Sequence, residues 1–220
     1  MTVGLSSFYL KLIAVAAMLV DHVGMLMFPE QIAFRLIGRI SFPIYCFLIV
    51  EGFYHTSNIR KYITRLAVFA VISEIPFNYL VSGTLIDIKH QNVFFTLLIG
   101  LLAIYGINII CNELYKSLLL VAGALAAILF MTDYSFYGVI LIYIFYKMRE
   151  KRLLACALNG IMSFLVGTIQ GVASLAAIPI LLYNGKKGPD FANSKMWKYA
   201  FYAVYPIHMI MLYIIARIYL

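Results

Sequence analysis

The chain has 220 residues, of which 64% are hydrophobic and 12% charged, and its formal net charge is +8. Soluble domains are about 45–50% apolar and about 25% charged, and a chain this small leaves much of its surface exposed, so a water-soluble globule is excluded. The composition fits an integral membrane protein with several spans.

The basic balance does not point to nucleic acid. The 17 Lys and Arg residues sit mostly in short connections between apolar runs, where positive charge fixes orientation across a bilayer. In chain order the apolar runs cover about 8–28, 33–54, 63–82, 92–112, 117–132, 136–148, 153–169, 171–184 and 198–218, against roughly 20 residues for a full span. The first run carries no signal-peptide cleavage pattern and reads as a retained helix. The expected fold is all-α: a single integral membrane domain over 1–220, forming a polytopic transmembrane helical bundle of about nine spans; the fifth to eighth are short, and two of them fusing or lying in the interface would make the count eight or ten. Cys46, Cys111 and Cys156 are far apart and inside apolar runs. They are expected as small buried thiols, and no Cys/His spacing suits a metal.

Charge tests the count. With nine spans and a cytoplasmic N-terminus, Arg60/Lys61/Arg65, Lys116, Lys147/Arg149/Lys151/Arg152 and Lys186/Lys187/Lys195/Lys198 all fall on the inner side, as the positive-inside rule requires. Glu30, Asp87, Lys89, His90 and Asp133 then lie outside. The longest polar stretch, about 185–197, is too short to fold alone. No internal repeat is visible, which weighs against many transporter designs.

Ionisable residues within apolar runs are costly and mark a cavity or a partner. Span one holds Asp21 and His22. Span two holds Arg35 and Arg39, with Glu51 and His55 at its inner end; span three holds Glu74 and span nine His208. In any bundle some such pairs are only structural. Depth sharpens the reading: His22 and Arg39 each lie about six residues from the outer end, near 9 Å, and Glu74 about eight, so adjacent spans would place them in one layer. Arg35 and Arg39 share a face at i, i+4 and call for an anion: Asp21, Glu74 or a ligand. Asp21 and His22 are neighbours about 100° apart on a helix. A carboxylate from another span, Glu74 above all, is therefore the expected partner of the His22 ring.

Asn78, Gln91, Asn92, Asp133, Tyr134, Tyr137 and Gln170 stand at outer ends. Each alone reads as a cap or a water-facing group; with the buried layer they describe a cavity open to the outside. His208 follows Pro206, which removes a backbone donor, so His208 either pairs with freed backbone or lines that cavity. On the inner side, Glu51 and His55 share a face, and Asn184-Gly185-Lys186-Lys187-Gly188 follows span eight. Its glycines permit close approach and its lysines attract phosphate. No strand precedes it and no Ser or Thr follows the lysines, so it is not a Walker loop; a positive-inside turn is the plainer reading.

Several stretches together resemble the TraX family: Leu19-Val20-Asp21-His22-Val23-Gly24, Ile37-Gly38-Arg39-Ile40-Ser41-Phe42-Pro43 and Val50-Glu51-Gly52-Phe53-Tyr54-His55-Thr56. Ser73-Glu74-Ile75-Pro76-Phe77, Gln91-Asn92-Val93-Phe94-Phe95-Thr96 and Asp133-Tyr134-Ser135-Phe136-Tyr137-Gly138 continue the match, which closes with Leu182-Tyr183-Asn184-Gly185-Lys186 and Tyr205-Pro206-Ile207-His208. The match keeps its order over nearly the whole chain. The resemblance implies a multi-pass protein of the bacterial cytoplasmic (inner) membrane. It implies acetyl transfer of the kind that N-acetylates a conjugative pilin, with cytoplasmic acetyl-CoA as donor and an outward-facing peptide, glycan or small-molecule acceptor. It also implies a catalytic histidine in an early span, for which His22 is the match.

Joined to the residue chemistry, this makes His22 the expected general base, with Asp21 or Glu74 orienting it and Arg39 stabilising an oxyanion or clamping a carboxylate. Lys186, Lys187 and Arg65, with Asn184, Glu51 and His55 nearby on the inner side, are expected to hold the donor. Arg35, Asn78, Gln91, Asn92, Asp133, Tyr137 and His208 are expected to line the acceptor site. The competing readings are a small transporter or channel with a charged intramembrane pathway, and a non-catalytic membrane scaffold.

Overall fold

A bilayer offers backbone amides no partner, so apolar runs of this length satisfy themselves as helices. The computed structural model describes residues 4–219, and among them the secondary structure is helical, with no strand beyond two isolated bridges. In chain order the helices are α1 Ser7–Met27, α2 Ile32–Gly38, α3 Ser41–His55, α4 Ile59–Val81, α5 Val93–Ile109, α6 Glu113–Leu129, α7 Ser135–Lys147, α8 Arg152–Val166, α9 Thr168–Gly171, α10 Ala177–Leu181 and α11 Lys195–Tyr219. A 3-10 stretch, Val172–Ala176, joins α9 to α10, and another, Asp190–Asn193, precedes α11.

The proline positions explain the one break in the second apolar run. Pro43 has no N–H to give the carbonyl of Arg39, four residues back. The helix is interrupted at Arg39 and Ile40 and resumes at Ser41. Pro206 costs α11 the same bond, yet that helix continues from Lys195 to Tyr219.

Length separates two classes of helix. Ser7–Met27, Ile32–His55, Ile59–Val81 and Lys195–Ile218 are long and apolar enough to cross a membrane. Val93–Ile109, Ser135–Lys147, Arg152–Val166 and Thr168–Leu181 are apolar but shorter. The 13 residues of α7 rise only about 20 Å, against about 30 Å of hydrocarbon. Among the described residues, length and composition thus single out four helices able to cross a membrane, where about nine spans were expected. Two of the long helices carry exposed apolar stripes: Val68, Val71, Ile72 and Ile75 on α4, and Ile207, Ile210, Met211, Ile214 and Ile218 on α11. Such stripes are stable only against lipid or another apolar surface.

Two compact units divide the chain. The first comprises residues up to Leu48 and from Met148 onward; in it α1 packs on α2 and α11, α2 meets α9, and α8 packs on α9, α10 and the 3-10 stretch between them. Its core includes Leu10, Ala14, Ile44, Ile180 and Met209, all fully buried. The second runs from Ile49 to Lys147, with α5 packed against α4, α6 and α7 around Leu66, Leu101, Ile104, Val139, Leu141 and Ile142. Cys46 and Cys156 are buried as expected, but Cys111 is exposed, because α5 ends at Ile109 and leaves Cys111 in the turn before α6.

Close approach of α1 and α2 depends on Gly38: a Cβ there would stand 2.2 Å from the Asp21 Cβ. Gly38→Val must push the helices apart. It is expected to cost about 1–3 kcal/mol by overpacking, read as a lower melting temperature of the purified protein in detergent.

Candidate functional site

In the first unit, α1 brings Asp21 and His22 up against α2, and α11 brings His208 to α1. Arg35 Nη1 donates to Asp21 Oδ2 at 2.9 Å, with both side chains mostly buried. This ion pair removes the charge that a lone carboxylate would expose to low dielectric. His22 Nδ1 lies 2.7 Å from His208 Nε2, the ring planes within 19° of each other and the centroids 4.9 Å apart. His208 Nδ1 lies 2.8 Å from the Val204 carbonyl oxygen, and Tyr205 packs edge-on against both imidazoles. The ring partner of His22 is therefore a histidine, where a carboxylate was expected. The physical reason is that Asp21 is held by Arg35, and Glu74 has its own partner, Asn92, in the second unit.

Arg39, at the break between α2 and α3, reaches α9: its Nη1 is 3.4 Å from Gln170 Oε1. Arg39 Nε and Gln170 Nε2 are buried and have no hydrogen-bond partner among the described residues. Two buried donors left open on neighbouring side chains are costly and are suited to an incoming oxygen. Gln170, buried to nine-tenths, was read from sequence only as one of several polar groups at outer ends. Tyr205 was read only as part of a motif. The available signal for Gln170 was a carboxamide inside an apolar run; for Tyr205 there was none, since tyrosine is common throughout the chain.

Glu74 belongs to the second unit and has its own partner there. Asn92 caps α5, its Oδ1 accepting from Phe94 N, while its Nδ2 donates to the Ala70 carbonyl and to Glu74 Oε2. Asn78, one turn after Glu74, donates from Nδ2 to the Leu85 carbonyl at 3.3 Å. Gln91 pairs by its backbone with Met131 and Asp133, and its Nε2 donates to the Asp87 carbonyl. Asp133 lies 3.6 Å from His90; the carboxylate beside the His90 ring raises that histidine above its ordinary value, against partial desolvation. Tyr137 is buried beside Tyr134. Asn78, Gln91, Asn92, Asp133 and Tyr137 thus gather with Glu74 in one unit, and Arg35 and His208 gather with His22 and Arg39 in the other.

The expected donor residues divide in the same way. Arg65, Glu51 and His55 are in the second unit. Arg65 lies 5.6 Å from the Tyr62 ring centroid, and His55 Nδ1 sits 2.8 Å from the Glu51 carbonyl oxygen. Asn184, Lys186 and Lys187 are in the first. Asn184 donates to the Gly4 carbonyl and accepts from Lys186 N, so its side chain holds the turn. Gly185 takes φ 77°, a left-handed value glycine adopts without strain. The carbonyls of Lys186 and Lys187 accept from Ser7 N and Phe8 N, supplying the first turn of α1 with the acceptors its free amides need. This leaves the two ammonium groups unbound by the turn itself. Among the described residues no group of His, Cys, Asp and Glu is arranged to hold a metal.

Among the described residues an all-helical structure with exposed apolar stripes defines a membrane protein, and His22, His208, Arg39 and Gln170 form a partly buried polar group within it. The chain belongs to the TraX family: the model of the TraX protein family matches residues 6–216. It is 31% identical to the probable fimbrial assembly protein FimC, serogroup H1, of Dichelobacter nodosus, over 94% of both chains. A shorter stretch of 66 residues, 30% of this chain and 25% of the relative, is 39% identical to the uncharacterized protein RP591 of Rickettsia prowazekii (strain Madrid E). No solved structure matches it.

Proposed function

We propose that the protein is a membrane acetyltransferase. It moves an acetyl group from cytoplasmic acetyl-CoA to an outward-facing amine or hydroxyl, the N-terminus of a pilin-like protein being the favoured acceptor. The observation that carries this reading is the cluster in the first unit: an imidazole pair beside an arginine and a carboxamide with open, buried donors. A general base and oxyanion donors are the two elements acyl transfer requires. Membership of the TraX family and the name of the fimbrial assembly relative support the acceptor class.

In this reading the acceptor nitrogen or oxygen attacks the thioester carbonyl, and His22 takes the proton it loses. The carbonyl oxygen becomes the oxyanion, held by Arg39 with Gln170. Collapse breaks the C–S bond, and the departing CoA thiolate recovers the proton from His22, so the enzyme returns unchanged. The Arg35–Asp21 pair fixes α2 against α1 and so sets the distance from His22 to Arg39. Lys186 and Lys187 attract the donor's phosphates on the cytoplasmic face, with the N-terminus of the chain on the same side, in the bacterial inner membrane.

Acetyl-CoA at a hundredfold over its dissociation constant stabilises a protein that binds it only when folded by about 2.7 kcal/mol, a rise of about 5 °C or more in melting temperature for a chain this size. Differential scanning fluorimetry in detergent should record that rise, reduced in Lys186→Ala/Lys187→Ala. No shift at saturating acetyl-CoA counts against the transferase and in favour of a transport pathway.

A further inference from the structure

The His22–His208 contact carries more than proximity, because its hydrogen-bond direction is determined by what lies behind it. A backbone carbonyl can only accept. The Val204 oxygen, 2.8 Å from His208 Nδ1, therefore requires a proton on Nδ1; without one, two lone pairs would face each other at hydrogen-bond distance. In a neutral imidazole a proton on Nδ1 leaves Nε2 bare. His208 Nε2 is thus an acceptor, and the nitrogen 2.7 Å away, His22 Nδ1, must be the donor. With its single proton on Nδ1, neutral His22 has Nε2 bare. The chain of bonds runs from His22 Nδ1–H to His208 Nε2, and from His208 Nδ1–H to the Val204 oxygen. Tyr205 packs edge-on to both rings.

We propose that His208 is the positioning residue of His22: it holds the His22 proton on Nδ1 and presents bare Nε2 as the nitrogen that takes the acceptor's proton. The assignment of the tautomer stands on the hydrogen-bond geometry alone; its catalytic use rests on the acetyltransferase reading. A buried carboxylate would orient the ring equally well but would bring an extra charge into the membrane. A second histidine anchored on a helix carbonyl does the same with none.

Two measurements on the full chain in nanodiscs separate these layers. The first is 15N NMR of protein labelled at histidine, with the His22 signals assigned by their loss in His22→Ala. The expected spectrum at neutral pH has His22 protonated at Nδ1 and bare at Nε2, and in His208→Leu that proton redistributes toward Nε2. A parent spectrum with the His22 proton on Nε2, or one unmoved by His208→Leu, overturns the proposal whatever the protein catalyses. The second is acetyl transfer from radiolabelled acetyl-CoA. His208→Leu should lower kcat by about 10²-fold, in the range a misplaced general base costs, with little change in KM for acetyl-CoA. His208→Gln, whose Oε1 can occupy the place of Nε2 and accept from His22, should recover activity to within about tenfold of the parent. Equal losses in Leu and Gln variants overturn the positioning role. A parent that transfers no acetyl group while its His22 tautomer is as expected removes the transferase reading and leaves the tautomer assignment intact.

Discussion

His22→Ala is expected to abolish acetyl transfer, with a loss of about 10²–10⁴ in kcat, corresponding to about 3–5 kcal/mol of transition-state stabilisation. The variant leaves His208 Nε2 without its donor, so a fall in activity alone would not separate lost chemistry from lost packing. His22→Asn makes that separation. Its Nδ2 can stand near the place of Nδ1 and donate to His208, but it offers nothing in place of Nε2. It should melt close to the parent and be as inactive as the Ala variant. An Asn variant that retains transfer would remove His22 from the chemistry.

Arg39→Met is the second large effect. Removing one oxyanion donor costs about 10²–10³ in kcat, and the loss is expected there, with KM for the acceptor nearly unchanged. Arg39→Lys keeps the charge but not the planar set of donors, and should recover only part of the rate. Gln170→Leu should act in the same step, and the double variant should lose less than the sum of the two, since both donors serve one oxygen. If the loss in Arg39→Met fell on the acceptor's KM instead, the arginine would be holding the acceptor before reaction, not the oxyanion.

Both predictions depend on α1 and α2 lying close, and that closeness has a local cause. Gly38 has no side chain where Asp21 stands, and Arg35, one turn earlier on α2, pairs with that same Asp21. The break at Arg39, set by Pro43, is what turns Arg39 out of a continuous helix and toward α9. The same residues therefore build the helix packing and aim the cation.

Much of this was legible in the chain itself. A 64% apolar composition dictates a membrane environment, because no folding of so small a chain can hide that much apolar surface. Runs of that composition must be helical, because only a helix satisfies its own backbone without water. The cost of charge in hydrocarbon singled out Asp21, His22, Arg35, Arg39, Glu74 and His208. What the chain did not reveal was how they pair. His22 and His208 are separated by 186 residues, and Arg39 and Gln170 by 131. Helical periodicity says which face a side chain shares with its neighbours three and four residues away, and nothing about which other helix that face meets. Depth along a span placed Glu74 level with His22, but tertiary packing gave Glu74 to Asn92 and gave His22 to His208. The full length of the short helices was likewise undecided by hydropathy, since Ser135–Lys147 is as apolar as a span and ends after 13 residues. The sequence determined the solvent, the class of fold and the costly residues. Only the tertiary structure decided which of those residues share a hydrogen bond, because that choice belongs to the packing of whole helices.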